Sequence, residues 1–171
     1  VSRKSAIELN TYLREVFFYK DIQATVDIAT PKVYFTDIDQ QSHDFVIIME
    51  DLAPGEQGDQ IAGCSADVAA MAMEQLAKFQ GPRWGDVSLQ QHQLLYGVTQ
   101  NTAQMQQYYQ ATAPGFLAKF GERLPEEYAD VVTKVGGFLG RYHDAYQGAP
   151  CLLHEDYRLD NMIFGGPRAL T

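Results

Sequence analysis

His154-Glu155-Asp156-Tyr157-Arg158-Leu159-Asp160-Asn161 is the stretch on which the fold turns. It has the form H-x-D-x-x-x-x-N and lies between two apolar runs, Cys151-Leu152-Leu153 and Met162-Ile163-Phe164, both of which read as short strands. Phosphoryl transfer accounts for these residue types. A carboxylate must orient an acceptor hydroxyl and take its proton, and Asp156 suits that task. An Asn five residues on can curl back and offer its amide oxygen to Mg²⁺ beside a triphosphate, and Asn161 is so placed. Arg158 could reach the transferring group, where a cation stabilises developing charge. His154 is expected to organise the loop by packing and hydrogen bonding. The alternative is a polar turn between strands, with Asp and Asn present as turn formers.

Outward from the octapeptide, the preceding segment reads as a long helix that starts at Pro125-Glu126-Glu127. Proline fits a first turn, and the two acids favour the positive end of the dipole. Tyr128, Val131, Val132, Val135, Phe138, Leu139 and Tyr142 give it an apolar face, while Gly136, Gly137 and Gly140 weaken it. A Gln-rich stretch, Leu94 to Gln110, is expected to be helical. Ser65 reads as an N-cap for a helix whose stripe is Val68, Met71, Leu76 and Phe79, stopped near Gly81-Pro82. Residues Asp51 to Gly63 read as a loop punctuated by Pro54, Gly55, Gly58 and Gly63. Lys32–Thr36 and Phe45–Glu50 form a predicted hairpin around the polar stretch 37–44, with Val46–Met49 expected to be buried on both faces. From Ser5 to about Ile22, the spacing of Leu9, Leu13, Val16 and Phe17 predicts one amphipathic helix. Strands first and helices after give an α+β class.

The string Leu-x-x-Asp-Tyr-Arg-Leu-Asp-Asn-Met-Ile-Phe resembles the catalytic loop of aminoglycoside-phosphotransferase-like, ecdysteroid-kinase-like and choline-kinase-like small-molecule kinases. Phe45–Leu52 is similar to the strand and hinge between their lobes. The resemblance implies that an adenine edge would meet the Met49, Glu50 and Leu52 segment, at the Glu50 carbonyl and the Leu52 amide. Glu15, in Glu15-Val16-Phe17-Phe18-Tyr19, matches the helix Glu that pairs with a phosphate-contacting Lys in such folds. Gly58–Gly63 and Leu76–Trp84 also resemble this group, although Gln80-Gly81 stands where relatives often carry His-Ala; Trp84 is expected in packing or in an acceptor pocket. A second departure is Glu155, where the family usually has Gly.

The resemblance implies a protein-kinase-like α+β fold. Residues 1–52 would be the remnant of an N-terminal lobe, and 53–171 an incomplete helical C-terminal lobe with catalytic loop 154–161. It implies an ATP- and Mg²⁺-dependent phosphotransferase acting on a hydroxyl of a small organic molecule. The rival from another class is a non-catalytic, degenerate kinase that binds nucleotide or partners; a hydrolase using His154 and Asp156 ranks below both, for want of a Ser or Cys nucleophile. The chain opens on a helical pattern and stops at Ala169-Leu170-Thr171, which resembles the start of a strand, so a fragment is expected: the phosphate-loop Lys would precede Ser5 and the main metal Asp would follow Thr171.

Bulk properties agree with a folded, soluble, cytoplasmic protein. The 171 residues are 46% hydrophobic and 12% aromatic, which argues against disorder. A formal charge of −9 disfavours nucleic acid as partner. No run is long and apolar enough to span a membrane. Two cysteines, Cys64 and Cys151, read as reduced and buried thiols. His43, His92 and His143 lack metal-ligand spacing.

Overall fold

In a computed structural model, residues 3–92, 94, 102–145 and 148–166 are described. The chain forms two compact units, one of residues 1–95 with 149–171, the other of residues 96–148. Helices combine with small antiparallel sheets, so the class is α+β. No helix among the described residues is long and apolar enough to cross a membrane. The expected strand at Ala169–Thr171 lies outside the described residues.

The first unit begins with two helices where the periodicity predicts one. Helix α1, Arg3–Glu8, stops at Leu9, and α2, Thr11–Phe17, starts after Asn10 at φ 56°. Asparagine tolerates this left-handed conformation better than most residues, and it redirects the chain. Leu9 is therefore exposed, while Val16 is buried. A π-turn, Phe18–Ile22, then carries Ile22 into the core.

Strands β1, Val33–Ile38, and β2, Phe45–Met49, form the predicted hairpin, in register from Val33↔Met49 to Ile38↔Phe45 with a bulge between Val33 and Phe35. Asp39 closes the turn by accepting from the Gln41 and Ser42 amides at 2.7 and 3.0 Å. Arg3 ties down the far side through Asp44 at 2.6 Å. Burial of β2 on both faces is not found: Val46, Ile48 and Met49 are exposed. The described sheet has two strands only, so nothing in it covers the second face.

The 51–63 loop contains a strand that composition does not signal. Residues Glu56–Gln57, β3, pair antiparallel with Ile163–Phe164, β4, through Glu56↔Phe164 and Gln57↔Ile163. Cys151–Leu153 is not a strand: it runs without a sheet partner, and Leu152 instead enters the core. Helix α3, Ala66–Gln80, forms as its stripe predicts. The Ser65 hydroxyl accepts from the Val68 amide at 3.3 Å, and Ala72 and Phe79 are buried. Phe79, Ile22, Leu89 and Leu152 make the core cluster, flanked by Phe17, Phe18, Val26, Ile28 and Leu76. Cys64 is exposed rather than buried, and Cys151 is half-buried.

The second unit holds α4, Thr102–Phe120, α5, Glu126–Val135, and α6, Leu139–Asp144. The predicted long helix after Pro125 breaks at residues 136–138, where Gly136-Gly137 is a poor helix former. Side chains hold the break against α4. The Tyr109 hydroxyl donates to the Val132 carbonyl at 2.9 Å, Gln110 donates to the Gly136 carbonyl at 3.1 Å, and Gln106 accepts from the Gly140 amide at 2.9 Å. A Cβ on Gly136 would meet the Tyr109 ring at 3.1 Å, which accounts for a glycine there. The expected apolar face is only partly used, since Tyr128, Val131, Phe138 and Tyr142 are exposed.

Candidate functional site

The octapeptide forms a curled loop that ends in a single 3₁₀ turn, Leu159–Asn161. The curl brings Asp156 and Asn161 together across five residues. The Asn161 amide nitrogen donates to the Asp156 carboxylate at 2.9 Å and to its backbone carbonyl at 2.8 Å. Arg158 turns back on the same loop, with Nε 3.0 Å from Asp156 Oδ1 and 3.0 Å from Asp160 Oδ1. The Asp160 oxygen is buried and meets Arg158 as an ion pair without forming a hydrogen bond. Arg158 and the neutral Asn161 amide thus both fold onto Asp156, whose own side chain stays exposed.

His154 organises the loop from its start. Its Nδ1 accepts from the Asp156 amide at 3.4 Å, and its ring meets Tyr157 edge-on at 5.4 Å and Phe79 at 6.4 Å. The Tyr157 hydroxyl donates to the Ala72 carbonyl of α3 at 2.5 Å, and burial pushes its phenol pKa up. The other side is held by residues to which the sequence reading gave no part in the site. Gln57 donates to the Asp160 carbonyl, Gln60 accepts from the Leu159 amide at 2.9 Å, and the Gly58 amide donates to the Met162 carbonyl at 3.1 Å. A Cβ on Gly58 would come within 2.5 Å of the Leu159 carbonyl, so glycine is required for this approach. An isolated Gly beside a strand is the one local signal that could have marked it.

Glu155 sits at φ 65°, and its carboxylate is 3.1 Å from Arg14 Nη1 of α2. Arg14, rather than Glu15, is the helix residue that reaches the loop. Partial burial raises the Glu15 carboxyl pKa, and burial, together with the Glu15 charge, raises that of Tyr19. Among the described residues no cation pairs with Glu15.

The Met49–Leu52 segment makes backbone contacts outside the 154–161 loop. Glu50 closes on Lys32, its carboxylate accepting from the Lys32 amide at 2.7 Å and its own amide donating to the Lys32 carbonyl at 2.9 Å. The Leu52 carbonyl accepts from the Gly55 amide at 2.7 Å, and a Cβ on Gly166 would come within 2.6 Å of it. The Leu52 carbonyl therefore packs on the residues just beyond β4. An open concavity of 540 Å³ is lined by Gln23 and Asp27–Val33. Trp84 is 63% exposed and is not part of the core.

Asp156, Asp160 and Asn161 carry oxygen atoms of the kind a hard divalent cation takes, and the Arg158 guanidinium stands on both carboxylates. With its nitrogen turned to Asp156, Asn161 keeps its amide oxygen on the other side of the group. Among the described residues no group of three or more His, Cys, Asp or Glu is arranged around one metal position. No protein-family model, curated protein or solved structure matches the chain.

Proposed function

We propose that this chain carries the catalytic loop of an ATP- and Mg²⁺-dependent phosphotransferase with a protein-kinase-like fold, acting on a hydroxyl group of a small organic molecule. The observation that supports it best is the 2.9 Å contact between Asp156 and Asn161, which a simple surface turn does not require. In this reading Asp156 orients the acceptor hydroxyl and takes its proton. Asn161 would hold Mg²⁺ through its amide oxygen. When bound, Mg²⁺ supplies charge neutralisation along the triphosphate. Arg158 holds Asp156 in place and, on leaving it, offers a guanidinium to the transferred group. The Glu50 carbonyl and Leu52 amide provide the backbone pair for an adenine edge, and Glu15 an anion for the phosphate-contacting Lys.

One observation favours a second reading, that of a non-catalytic nucleotide-binding module. Arg158 and Asn161 both occupy the Asp156 carboxylate, so the base is engaged by its own loop. Turnover decides between them. In the complete polypeptide, Asp156→Ala is expected to lower ADP release with a verified acceptor by roughly 10²–10⁴-fold, while ATP binding persists. Full turnover by that variant overturns the assignment, and no turnover in the unaltered protein with retained ATP binding favours the module.

A further inference from the structure

The two halves of the 154–161 loop are held in different ways. The far half is fastened from outside the loop by the Tyr157 hydroxyl on Ala72, by Gln60 on the Leu159 amide and by Gln57 on the Asp160 carbonyl. The near half has the Phe79 ring beside His154 and, from α2, the Arg14 guanidinium on Glu155. Among the described residues, every other charged contact of the loop is internal to it and moves with it.

We infer that Arg14 and Glu155 are a positioning pair that fixes the backbone immediately before Asp156 against α2. The consequence for catalysis rests on the phosphotransferase reading; the tether itself does not. Glu155 has φ 65°, a conformation that favours glycine, so its side chain must compensate for what the backbone loses. Arg14 is only 22% exposed, and its Nε is buried without a hydrogen-bond partner. Among the described residues, Glu155 is the carboxylate that answers this charge. A largely buried guanidinium is poorly served by water, so the pair is held more tightly than an open surface pair. The base of the tether is itself fixed. Val16 is buried two residues on, and Tyr12 stacks on Phe45 of β2 at 4.7 Å. A shift at residue 155 passes through one peptide unit to Asp156, and an error there is costly to a reaction that depends on alignment.

Glycine makes the decisive variant, because it adopts this φ without strain and removes only the tether. In the complete polypeptide, Glu155→Gly and Arg14→Met should each raise amide hydrogen exchange across residues 154–157. Each should also lower kcat by about tenfold or more with KM for ATP within about twofold, since a misplacement of about 1 Å can cost 10²-fold. The charge swap Arg14→Glu with Glu155→Arg should recover both readouts in large part. Should Arg14→Met fail to fold, Glu155→Gly and Glu155→Gln carry the test. Unchanged exchange, raised exchange with full turnover, or a swap that recovers neither readout overturns the inference. If the unaltered protein transfers no phosphate, the phosphotransferase reading fails by itself, and the exchange data with the swap still judge the pair.

Discussion

The Asp86 carboxylate accepts from the Ser88 amide at 2.9 Å, capping the 3₁₀ turn Val87–Gln91, and pairs with Arg83 at 2.6 Å. Arg83 reaches on to the Thr25 hydroxyl at 2.9 Å, so one side chain links two turns beside the core. The hydrogen bonds from Ser88, with the nearby Arg83 guanidinium, hold the Asp86 pKa down from 3.8 to about 2. The sign follows: a carboxyl more acidic in the folded chain contributes stability above pH 4, and that contribution is lost as pH falls from about 4 to about 2. In urea unfolding as a function of pH, Asp86→Asn should therefore be less stable than the unaltered protein above pH 4. The gap should close towards pH 2; a gap independent of pH would show that the charge plays no part. Asp39, Asp44 and Asp59 are held low as well, by backbone amides or Arg3, which is why the difference curve is the measurement to make.

At the scale of elements, Gly58 decides how β3 meets the end of the 154–161 loop. Alanine there would place Cβ 2.5 Å from the Leu159 carbonyl and 2.9 Å from the Phe164 ring, and backbone must give way. Overpacking of this kind costs about 1–3 kcal/mol, so Gly58→Ala should lower the denaturant midpoint and weaken the β3–β4 pairing seen by hydrogen exchange. Helix α3 and the hairpin were legible in the sequence because each carries a period of its own: buried Ala72 and Phe79 lie a helical repeat apart, and a polar turn separates two β-rich runs. Strand β3 has two residues and no period to read. The breaks at Asn10 and Gly136 came from local conformational preference overriding an otherwise continuous apolar pattern. The candidate site divides in the same way. Asp156 and Asn161 are near neighbours in sequence, and their spacing anticipated a curl. Gln60 and Arg14 meet the loop across 99 and 141 residues, and such contacts leave no mark on the local sequence.

For the molecule as a whole, the unit that carries the loop is discontinuous, closed by a segment that returns after residue 148. Leu152 is 5% exposed and packs with Ile22, Phe79 and Leu89. Replacing Leu152 by Ala should cost about 2–5 kcal/mol in chemical denaturation, as buried Leu-to-Ala changes do. A chain ending at Gly148 loses Leu152, Met162 and β4 together. Its first unit should show no cooperative unfolding transition; a sharp transition would mean that residues 1–95 fold unaided. The late arrival of Leu152 also sets a timetable for synthesis. About sixty residues separate it from Leu89, so at roughly 5–20 residues per second the ribosome exposes the apolar faces of Ile22, Phe79 and Leu89 for about 3–12 s before their last partner is made. Over those seconds the nascent chain presents an open hydrophobic seam, the surface on which a holdase chaperone acts, and the residues next to be translated after Leu152 are those of the loop that holds Asp156.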